Sequence, residues 1–235
     1  MLLYYIRHGD PIYDPDSLTP LGERQAEALG RRLAHSGIDE IYASTSGRAI
    51  LTAKPLSEIS KLEIKELDWA NEKYAGQEFG IRKKWCYWDK ETREVFMSEE
   101  VRLLGREWYK HPYFENTRCG EGIMRIQKEA DAFLEGLGYK HNLEKNSYEE
   151  LFENNKKVAF FAHHGFGMAF LSCILDIPYP FFATHFDICT TGVTVIDFGL
   201  SSKEPLIPVV RTHSDMSHIY GDGLPTRYNN MGIII

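Results

Sequence analysis

The sequence predicts an α/β fold, arranged as a three-layer α/β/α sandwich around a central, mostly parallel sheet. Two observations favour it. Apolar runs short enough to be buried strands end abruptly at polar residues, first at Arg7 and much later at His163. Between such runs lie segments with apolar residues at helical spacing, and strands that alternate with helices are typical of this fold class.

Predicted strands are the short apolar or β-prone runs bounded by polar residues. They cover residues 2–6, 40–43, 62–67, 158–162, 192–198 and 206–211.

Four helices are predicted from capping residues and apolar spacing. Thr19 is a predicted N-cap and Pro20 suits the first position of a helix that ends near residue 36. A second helix begins at Arg48, and Pro55 is expected to kink or shorten it. Two more are predicted at residues 123–137 and 166–175, whereas residues 68–80 are interpreted as a polar loop.

The chain is predicted to form a single domain of residues 1–235. Its 235 residues are 43% hydrophobic and 26% charged, which is sufficient for one sizeable core. Residues from about 80 to 119 are interpreted as a helical insertion beside the site. The aromatic side chains of this insertion are interpreted mainly as core residues: Trp85, Tyr87, Trp88, Trp108, Tyr109 and Tyr113.

Composition argues against several classes of partner. The net charge of -7 disfavours a nucleic acid, which binds to basic surfaces. The sequence has no signal-peptide pattern and no run of the roughly 20 apolar residues that span a membrane. The four cysteines form no Cys-x-x-Cys pair and are interpreted as free thiols. We therefore expect a soluble cytoplasmic protein without a membrane partner, of undetermined oligomeric state.

Polar side chains that suit phosphoryl transfer follow the predicted strands. Such a reaction requires a nucleophile, cations and oriented donors around the phosphoryl oxygens. His8 could attack phosphorus from a ring nitrogen, Arg7 and Arg48 could bind its oxygens, and His164 could donate a further hydrogen bond. Gly165 would allow the backbone to approach the phosphate. The sequence thus predicts a phosphate site at the carboxyl edge of the sheet.

These residues belong to a series of ordered segments. The segments are Arg7-His8-Gly9, Leu18-Thr19-Pro20-Leu21-Gly22 with Gln25-Ala26, Tyr42-Ala43-Ser44 through Arg48 to Ala53, Gly120-Glu121-Gly122, and Ala162-His163-His164-Gly165. In this order they resemble the landmarks of the histidine phosphatase (phosphoglycerate mutase-like) superfamily. The insertion is not covered by the resemblance.

The resemblance implies a mechanism and a set of site residues. His8 would accept the phosphoryl group and pass it to water or to a second hydroxyl. Arg7, Arg48, His164 and Gly165 would form the phosphate pocket. No metal and no cofactor would be needed.

The proton donor is implied by the same resemblance. Because Gly165 follows the second histidine, the donor is expected in the loop after the third strand. There, the stretch Asn71-Glu72-Lys73-Tyr74 resembles the mutase Asn-Glu-Arg-His element and selects Glu72. Asp68 and Glu66 remain alternatives.

The expected function is hydrolysis of a phosphomonoester through a phosphohistidine, with a small phosphorylated metabolite as substrate. Residues 10–14 lack the mutase-like Glu-Ser-x-Trp-Asn continuation, which favours a phosphatase. A cofactor-dependent phosphoglycerate mutase-type phosphotransferase is the first alternative. A non-catalytic phosphate-binding regulatory module is the second.

Other histidines have simpler interpretations. His163 precedes His164 in a predicted strand, so we expect it to point to the opposite side and to have a packing role. A metal site among His185, His213 and His218, with Asp187 or Asp215, is disfavoured because these residues lack compact ligand spacing.

Overall fold

A computed structural model describes residues 1–199 and 205–225. Its strands are, in chain order, β1 (Leu2–Arg7), β2 (Pro11–Tyr13), β3 (Asp16–Leu18), β4 (Glu40–Ser44), β5 (Ile64–Leu67), β6 (Gly80–Ile81), β7 (Lys84–Trp85), β8 (Tyr139–Asn142), β9 (Ser147–Glu150), β10 (Lys157–Ala162), β11 (Val193–Asp197) and β12 (Val209–Asp215). Its α-helices are α1 (Pro20–Ser36), α2 (Gly47–Ser60), α3 (Glu72–Glu78), α4 (Lys90–Phe96), α5 (Glu99–Leu104), α6 (Cys119–Gly136), α7 (His164–Ile174), α8 (Tyr179–His185) and α9 (Ser217–Gly221).

Six of these strands form the central sheet in the order β12-β11-β1-β10-β4-β5. The strands β1, β10, β4 and β5 run parallel to one another. At one side, β11 pairs antiparallel with β1, and β12 pairs antiparallel with β11. The other six strands pair as three short hairpins, β2 with β3, β6 with β7, and β8 with β9.

Helices cover both faces of the sheet. On one face, α1 and α2 pack against Ile6, Ile41 and Phe161. On the other, α6 and α7 pack against a larger aromatic core around Tyr5 and Phe160. Strands buried on both faces explain the continuous apolar runs. The predicted α/β/α fold with a mostly parallel sheet is confirmed.

The predicted helices are present, with shifted ends. The first has Thr19 as its N-cap, whose side chain accepts a hydrogen bond from Gly22 N. The second continues through Pro55 to Ser60, so the expected shortening is wrong. Pro55 lies against Gly30 of α1, where a side chain would place its Cβ 2.8 Å from the Pro55 Cβ. The helix pair is therefore packed closely at this point.

Two predicted segments differ from the structure. The expected strand at 206–211 is β12, which begins three residues later at Val209. The expected loop at 68–80 contains a 3-10 turn and then α3, because the Asn71 side chain caps the helix by accepting from Lys73 N at 3.1 Å. This cap places Glu72 at the first position of α3.

Residues 80–119 form the hairpin of β6 and β7, the short helices α4 and α5, and several 3-10 turns. Their aromatic residues divide between core and surface: Tyr87 and Trp108 are buried, whereas Trp88 is 39% exposed. The four cysteines are free and buried. None of the helices in the described part of the chain is both long and apolar enough to cross a membrane. The single domain of residues 1–235 stays a prediction, and it includes residues outside those described.

Candidate active site

The site lies where the parallel strands end. β1 and β10 are in register up to Arg7 and Ala162, and β10 and β4 up to Phe161 and Ala43. The residues that follow these pairs therefore emerge side by side at one edge of the sheet.

His8 is the residue directly after β1, and its side chain is almost fully buried. Its Nδ1 lies 2.7 Å from the carbonyl oxygen of Gly9. Because a carbonyl only accepts, Nδ1 carries the hydrogen and Nε2 keeps its lone pair. Burial, followed by the nearby charges of Arg7 and Arg48, lowers the pKa of His8 well below its ordinary value. A neutral imidazole with a free Nε2 is the form that can act as a nucleophile.

Two buried arginines flank His8. The Nη1 of Arg7 donates to the carbonyl oxygen of Ile188 at 2.7 Å. Arg48, at the start of α2, donates to Asp16 at 2.7 Å and lies 3.5 Å from Glu72. Its Nε is buried and has no hydrogen-bond partner among the described residues. Buried N–H groups normally have partners, so this nitrogen could serve a bound anion.

Glu72 reaches the site from the first turn of α3. One carboxylate oxygen accepts from the backbone N–H of Gly165 at 2.8 Å and of Phe166 at 3.3 Å. The other lies 3.4 Å from His163 Nδ1. Glu72 thus stands among the charged groups of the site.

The two alternatives to Glu72 lie elsewhere. Asp68 is exposed, and hydrogen bonds from Tyr74 and Thr45 lower the pKa of its carboxyl. Glu66 is exposed on β5. Glu72, in contrast, has a carboxylate oxygen within 4.8 Å of a ring nitrogen of His8, so the geometry favours Glu72.

His163 is the main correction to the sequence interpretation. It was expected to point away from the site, yet its ring centroid lies 5.2 Å from that of His8. The strand ends at Ala162, and His163 is the N-cap of α7, so the alternation of side chains along a strand no longer applies. His163 is fully buried, and burial lowers its pKa well below the ordinary value.

Hydrogen bonds through Ser44 indicate which ring nitrogen of His163 carries the hydrogen. Ser44 Oγ accepts from Ser46 N and lies 2.8 Å from His163 Nε2. If the hydroxyl donates to Nε2, the neutral ring carries its hydrogen on Nδ1. That atom is buried without a hydrogen-bond partner among the described residues. In this tautomer, Nδ1–H of His163 is a second donor beside His8, and a Glu72 carboxylate oxygen lies 3.4 Å from it.

His164, expected to be the phosphate-binding histidine, has other partners. Its Nε2 lies 2.6 Å from an Asp187 carboxylate oxygen, and its Nδ1 lies 3.0 Å from the Tyr87 hydroxyl. Its ring is stacked on Trp88 at 5.7 Å. Both histidines are at the same edge of the sheet. His164 packs against the aromatic side chains of Tyr87 and Trp88, whereas His163 lies beside His8.

Gly165 also differs from its expected role. Its N–H is engaged by Glu72 rather than open to a phosphate. A side chain here would place its Cβ 2.3 Å from the Trp85 ring. Glycine is required at this position because the indole lies directly against the backbone.

The sequence interpretation did not assign three further residues to the phosphate site: Asp16, Ser44 and Asp187. Asp16 lies in the connection between the first predicted strand and the first predicted helix, and the hairpin of β2 and β3 brings it to Arg48. The position of Ser44 at the end of a parallel strand was a usable signal. Asp187 lies in a loop after α8, and no sequence pattern marks it.

One group of potential metal ligands occurs among the described residues, namely His8, Glu72 and His163, whose ligand atoms lie within 4.8 Å of one another. Arg7 and Arg48 place two positive charges beside this group, which opposes binding of a dication. His213 and His218 contact the Asp187 carbonyl and Thr191 instead of a shared centre.

An open cleft of about 520 Å³ leads to the site. Its lining includes Arg48, Glu72, Lys73, Trp85 and Tyr13. The cleft gives a small molecule that carries an anionic group access to Arg48 and Glu72.

Comparison with known proteins identifies the family of the chain. Residues 3–205 match the model of the histidine phosphatase superfamily (branch 1). Phosphoserine phosphatase 1 of Hydrogenobacter thermophilus is 28% identical over 130 residues, which are 55% of this chain and 56% of that protein. A putative phosphoserine phosphatase 2 of the same organism is 25% identical over 148 residues, covering 59% of this chain and 68% of that protein.

Solved structures are similar in fold. A phosphoserine phosphatase from Entamoeba histolytica, in complex with 3-phosphoglyceric acid, has a TM-score of 0.60 at 21% identity and covers 93% of this chain and 98% of that one. A mycobacterial glucosyl-3-phosphoglycerate phosphatase has a TM-score of 0.58 at 17% identity, with 90% and 97% covered.

Proposed function

Because the chain belongs to the histidine phosphatase superfamily (branch 1), we propose that it hydrolyses a small phosphorylated metabolite through a phosphohistidine on His8. The observation that carries the proposal is the state of the His8 ring. It is buried, neutral and fixed with Nδ1–H on the Gly9 carbonyl, so that Nε2 is the available nucleophile. The relatives named as phosphoserine and glucosyl-3-phosphoglycerate phosphatases support the substrate class.

In the first step, the Nε2 lone pair forms a bond to phosphorus while the bond from phosphorus to the ester oxygen breaks. Arg48 and Arg7 stabilise the charge on the phosphoryl oxygens, and His163 donates from Nδ1. Glu72 in its protonated form gives its proton to the departing oxygen, which leaves as an alcohol. The phosphorylated His8 ring keeps the hydrogen on Nδ1, and the Gly9 carbonyl stabilises its positive charge.

In the second step, a water molecule attacks phosphorus and the bond between phosphorus and Nε2 breaks. Glu72, now ionised, accepts the proton of the water and is ready for the next cycle. The products are inorganic phosphate and neutral His8, so atoms and protons balance.

The test is turnover of p-nitrophenyl phosphate in the presence of a metal chelator. We expect the wild type to be active and His8→Ala to be inactive. Denaturation of the wild-type enzyme during turnover should trap an acid-labile phosphoryl group on His8. His35, exposed at the end of α1, provides the matched control, and His35→Ala should keep full activity.

Equal activity of His8→Ala and wild type would refute His8 as the nucleophile. Loss of activity on adding the chelator would indicate a metal at the group of His8, Glu72 and His163. Inactivity of the wild type on a panel of phosphomonoesters would favour a phosphate-binding module. Interconversion of 3- and 2-phosphoglycerate would favour a mutase.

A further inference from the structure

A chain of hydrogen bonds runs from α1 through α9 to the loop before β11. Arg32 Nη1 on α1 lies 3.2 Å from His218 Nδ1 on α9. Because a guanidinium group only donates, Nδ1 accepts and the ring carries its hydrogen on Nε2. This Nε2 lies 3.0 Å from Thr191 Oγ1, and the hydroxyl donates to the Thr190 carbonyl oxygen at 2.7 Å. Each group of the chain therefore donates to the next.

His218 is a neutral member of this chain. Its side chain is buried, and burial, followed by the charge of Arg32, lowers its pKa to about 4. The carboxylates of Asp215 and Asp222 act in the opposite direction and do not offset the effect of burial. At neutral pH the ring is therefore an uncharged donor to Thr191.

Thr191, the next member, has a strained backbone. Its φ angle is 55°, which is an outlier for a β-branched residue. Such conformations persist only where the surrounding structure holds them, and they are concentrated at functional sites. Thr191 is fully buried, and His218 contacts its hydroxyl. In this conformation the Thr191 N–H donates to the carbonyl oxygens of Arg7 at 3.1 Å and His8 at 3.2 Å.

These contacts complete the attachment of the His8 backbone. The N–H of His8 donates to the Ala162 carbonyl at 3.0 Å, and the N–H of Gly9 donates to Thr52 Oγ1 at 2.9 Å. The peptide between His8 and Gly9 is thus held on both sides, at its oxygen by Thr191 and at its nitrogen by Thr52. The next carbonyl along the chain is that of Gly9, which lies 2.7 Å from His8 Nδ1. A rotation of the held peptide would move this carbonyl away from the ring.

We propose that Thr191 and His218 are positioning residues for the nucleophile. Thr191 holds the end of β1 through its N–H, and His218 holds Thr191 in its positive-φ conformation. Together they keep Nδ1–H of His8 on the Gly9 carbonyl and direct Nε2 at the phosphoryl group. Both lie outside the described lining of the cleft, so they act through His8 alone. The kinetic consequence rests on the proposed function, whereas the state of the His8 ring can be measured without turnover.

Two replacements of His218 separate its two hydrogen bonds. In His218→Gln, the amide reaches the position of Nε2 and can still donate to Thr191. In His218→Asn, the shorter side chain reaches only the position of Nδ1, so it can accept from Arg32 but no longer holds Thr191. We expect kcat to stay within about threefold in His218→Gln and to fall by about tenfold to 10²-fold in His218→Asn, because a small displacement of a reacting group has an effect of this size. KM should change by less than about threefold in both, since Arg48 and His163 remain to bind the phosphoryl group.

Thr191→Val is an independent test that keeps the shape of the side chain. It removes the hydroxyl that His218 contacts and leaves the backbone N–H in place. We expect kcat to fall as in His218→Asn, by about tenfold to 10²-fold. The matched control is Thr92→Val on α4, where an equally buried hydroxyl contacts Asp89 and Tyr113. Both valine variants lose a buried hydrogen bond and should be destabilised in urea, but Thr92→Val should keep kcat within about twofold of the wild type.

The His8 ring gives a readout that a general loss of stability would not change. In ¹⁵N-labelled protein, the resonances of the two ring nitrogens show which of them carries the hydrogen, and the His8 signals are identified by their absence in His8→Ala. We expect the wild type, His218→Gln and Thr92→Val to show one neutral tautomer, with the hydrogen on Nδ1. His218→Asn and Thr191→Val should show signals averaged between both tautomers, because the ring is no longer held on the Gly9 carbonyl.

Several outcomes would overturn the positioning role. These are unchanged His8 ring signals in both His218→Asn and Thr191→Val, equal losses of kcat in the two His218 variants, an equal loss in Thr92→Val, or a loss confined to KM. The ring signals are recorded without substrate. An inactive wild type whose ring signals respond to the variants as expected would therefore overturn the proposed function and support the positioning role.

Discussion

Replacement of His163 by glutamine tests whether this residue, rather than His164, assists His8. The side chain of His163 is fully buried, and its ring centroid lies 5.2 Å from that of His8. In His163→Gln, the Nδ1 donor to the phosphoryl oxygens is lost while most of the side-chain volume is kept. Removal of one preorganised donor to a developing oxyanion lowers kcat by about 10²- to 10³-fold, or about 3 to 4 kcal/mol. We expect a loss of this size.

His164→Gln is the comparison. The ring of His164 is hydrogen-bonded to Asp187 and Tyr87, away from His8. Its loss should alter KM and lower kcat by less than about tenfold, which corresponds to about 1.4 kcal/mol. The two variants thus differ in which kinetic constant changes.

The assay is steady-state hydrolysis of p-nitrophenyl phosphate, with urea unfolding of each variant as a check on folding. The glutamine amide reaches the position of the ring Nε2 and should keep a hydrogen bond to Ser44, so the free energy of unfolding is expected to fall by no more than about 1 kcal/mol. A folded His163→Gln enzyme with near wild-type kcat, beside a His164→Gln enzyme that has lost at least about 10²-fold, would refute the assignment.

Three further outcomes are expected. Burial and two arginines lower the pKa of His8, so the ring should stay neutral as the pH falls through the ordinary histidine value of about 6.5. A plot of kcat/KM against pH should therefore show no decrease centred near pH 6.5. Such a decrease would contradict a neutral His8. His141 lies between Asp131 and Asp176, which raise its pKa to about 9 against the opposing effect of burial. Because the pKa of His141 is higher in the folded than in the unfolded state, the stabilisation is complete below about pH 6.5 and is lost as the pH rises through 9. The loss should be no more than about 3 kcal/mol, and urea unfolding measured from pH 6 to 10 should show it. An unfolding free energy that stays constant over this range would contradict a charged His141 between the two aspartates. Gly165→Ala should displace Trp85, because the new methyl group would overlap the indole ring. The free energy of unfolding should fall by about 1 to 3 kcal/mol, and KM should rise. An unchanged free energy of unfolding together with unchanged indole fluorescence would show that the ring does not lie against Gly165.

The centre of the sheet was predictable because β1 and β10 are buried on both faces and appear as apolar runs. The run before His8 and the run before His163 correspond to β1 and β10, the two neighbours at the centre. The start of β12 was mispredicted because β12 is an edge strand with exposed residues, so its sequence shows little alternation of apolar and polar side chains.

The site was predictable where a residue follows a strand directly, as His8 does. It was not predictable where a helix begins, because the first turn of a helix redirects side chains. This is why His163 and His164 were interpreted with the wrong orientation. It is also why α3 was missed, although the Asn71 cap before Glu72 is a recognisable start signal.

Asp16 and Asp187 illustrate a different limit. Both lie in connections between elements, and each reaches the site only through the packing of distant segments. A single sequence carries no local pattern for such contacts.

The position of Trp85 has a consequence for how this enzyme could acquire new substrates. The groups proposed to perform the chemistry, including His8, Arg48, Glu72 and His163, all lie outside residues 80–119. Trp85, which lines the active-site cleft, and Tyr87, which contacts His164, lie within them. Replacement of this one contiguous segment would therefore change substrate selectivity without replacing any of these proposed catalytic residues. In directed evolution, a library confined to residues 80–119 should yield variants with altered substrate specificity that keep the proposed catalytic residues.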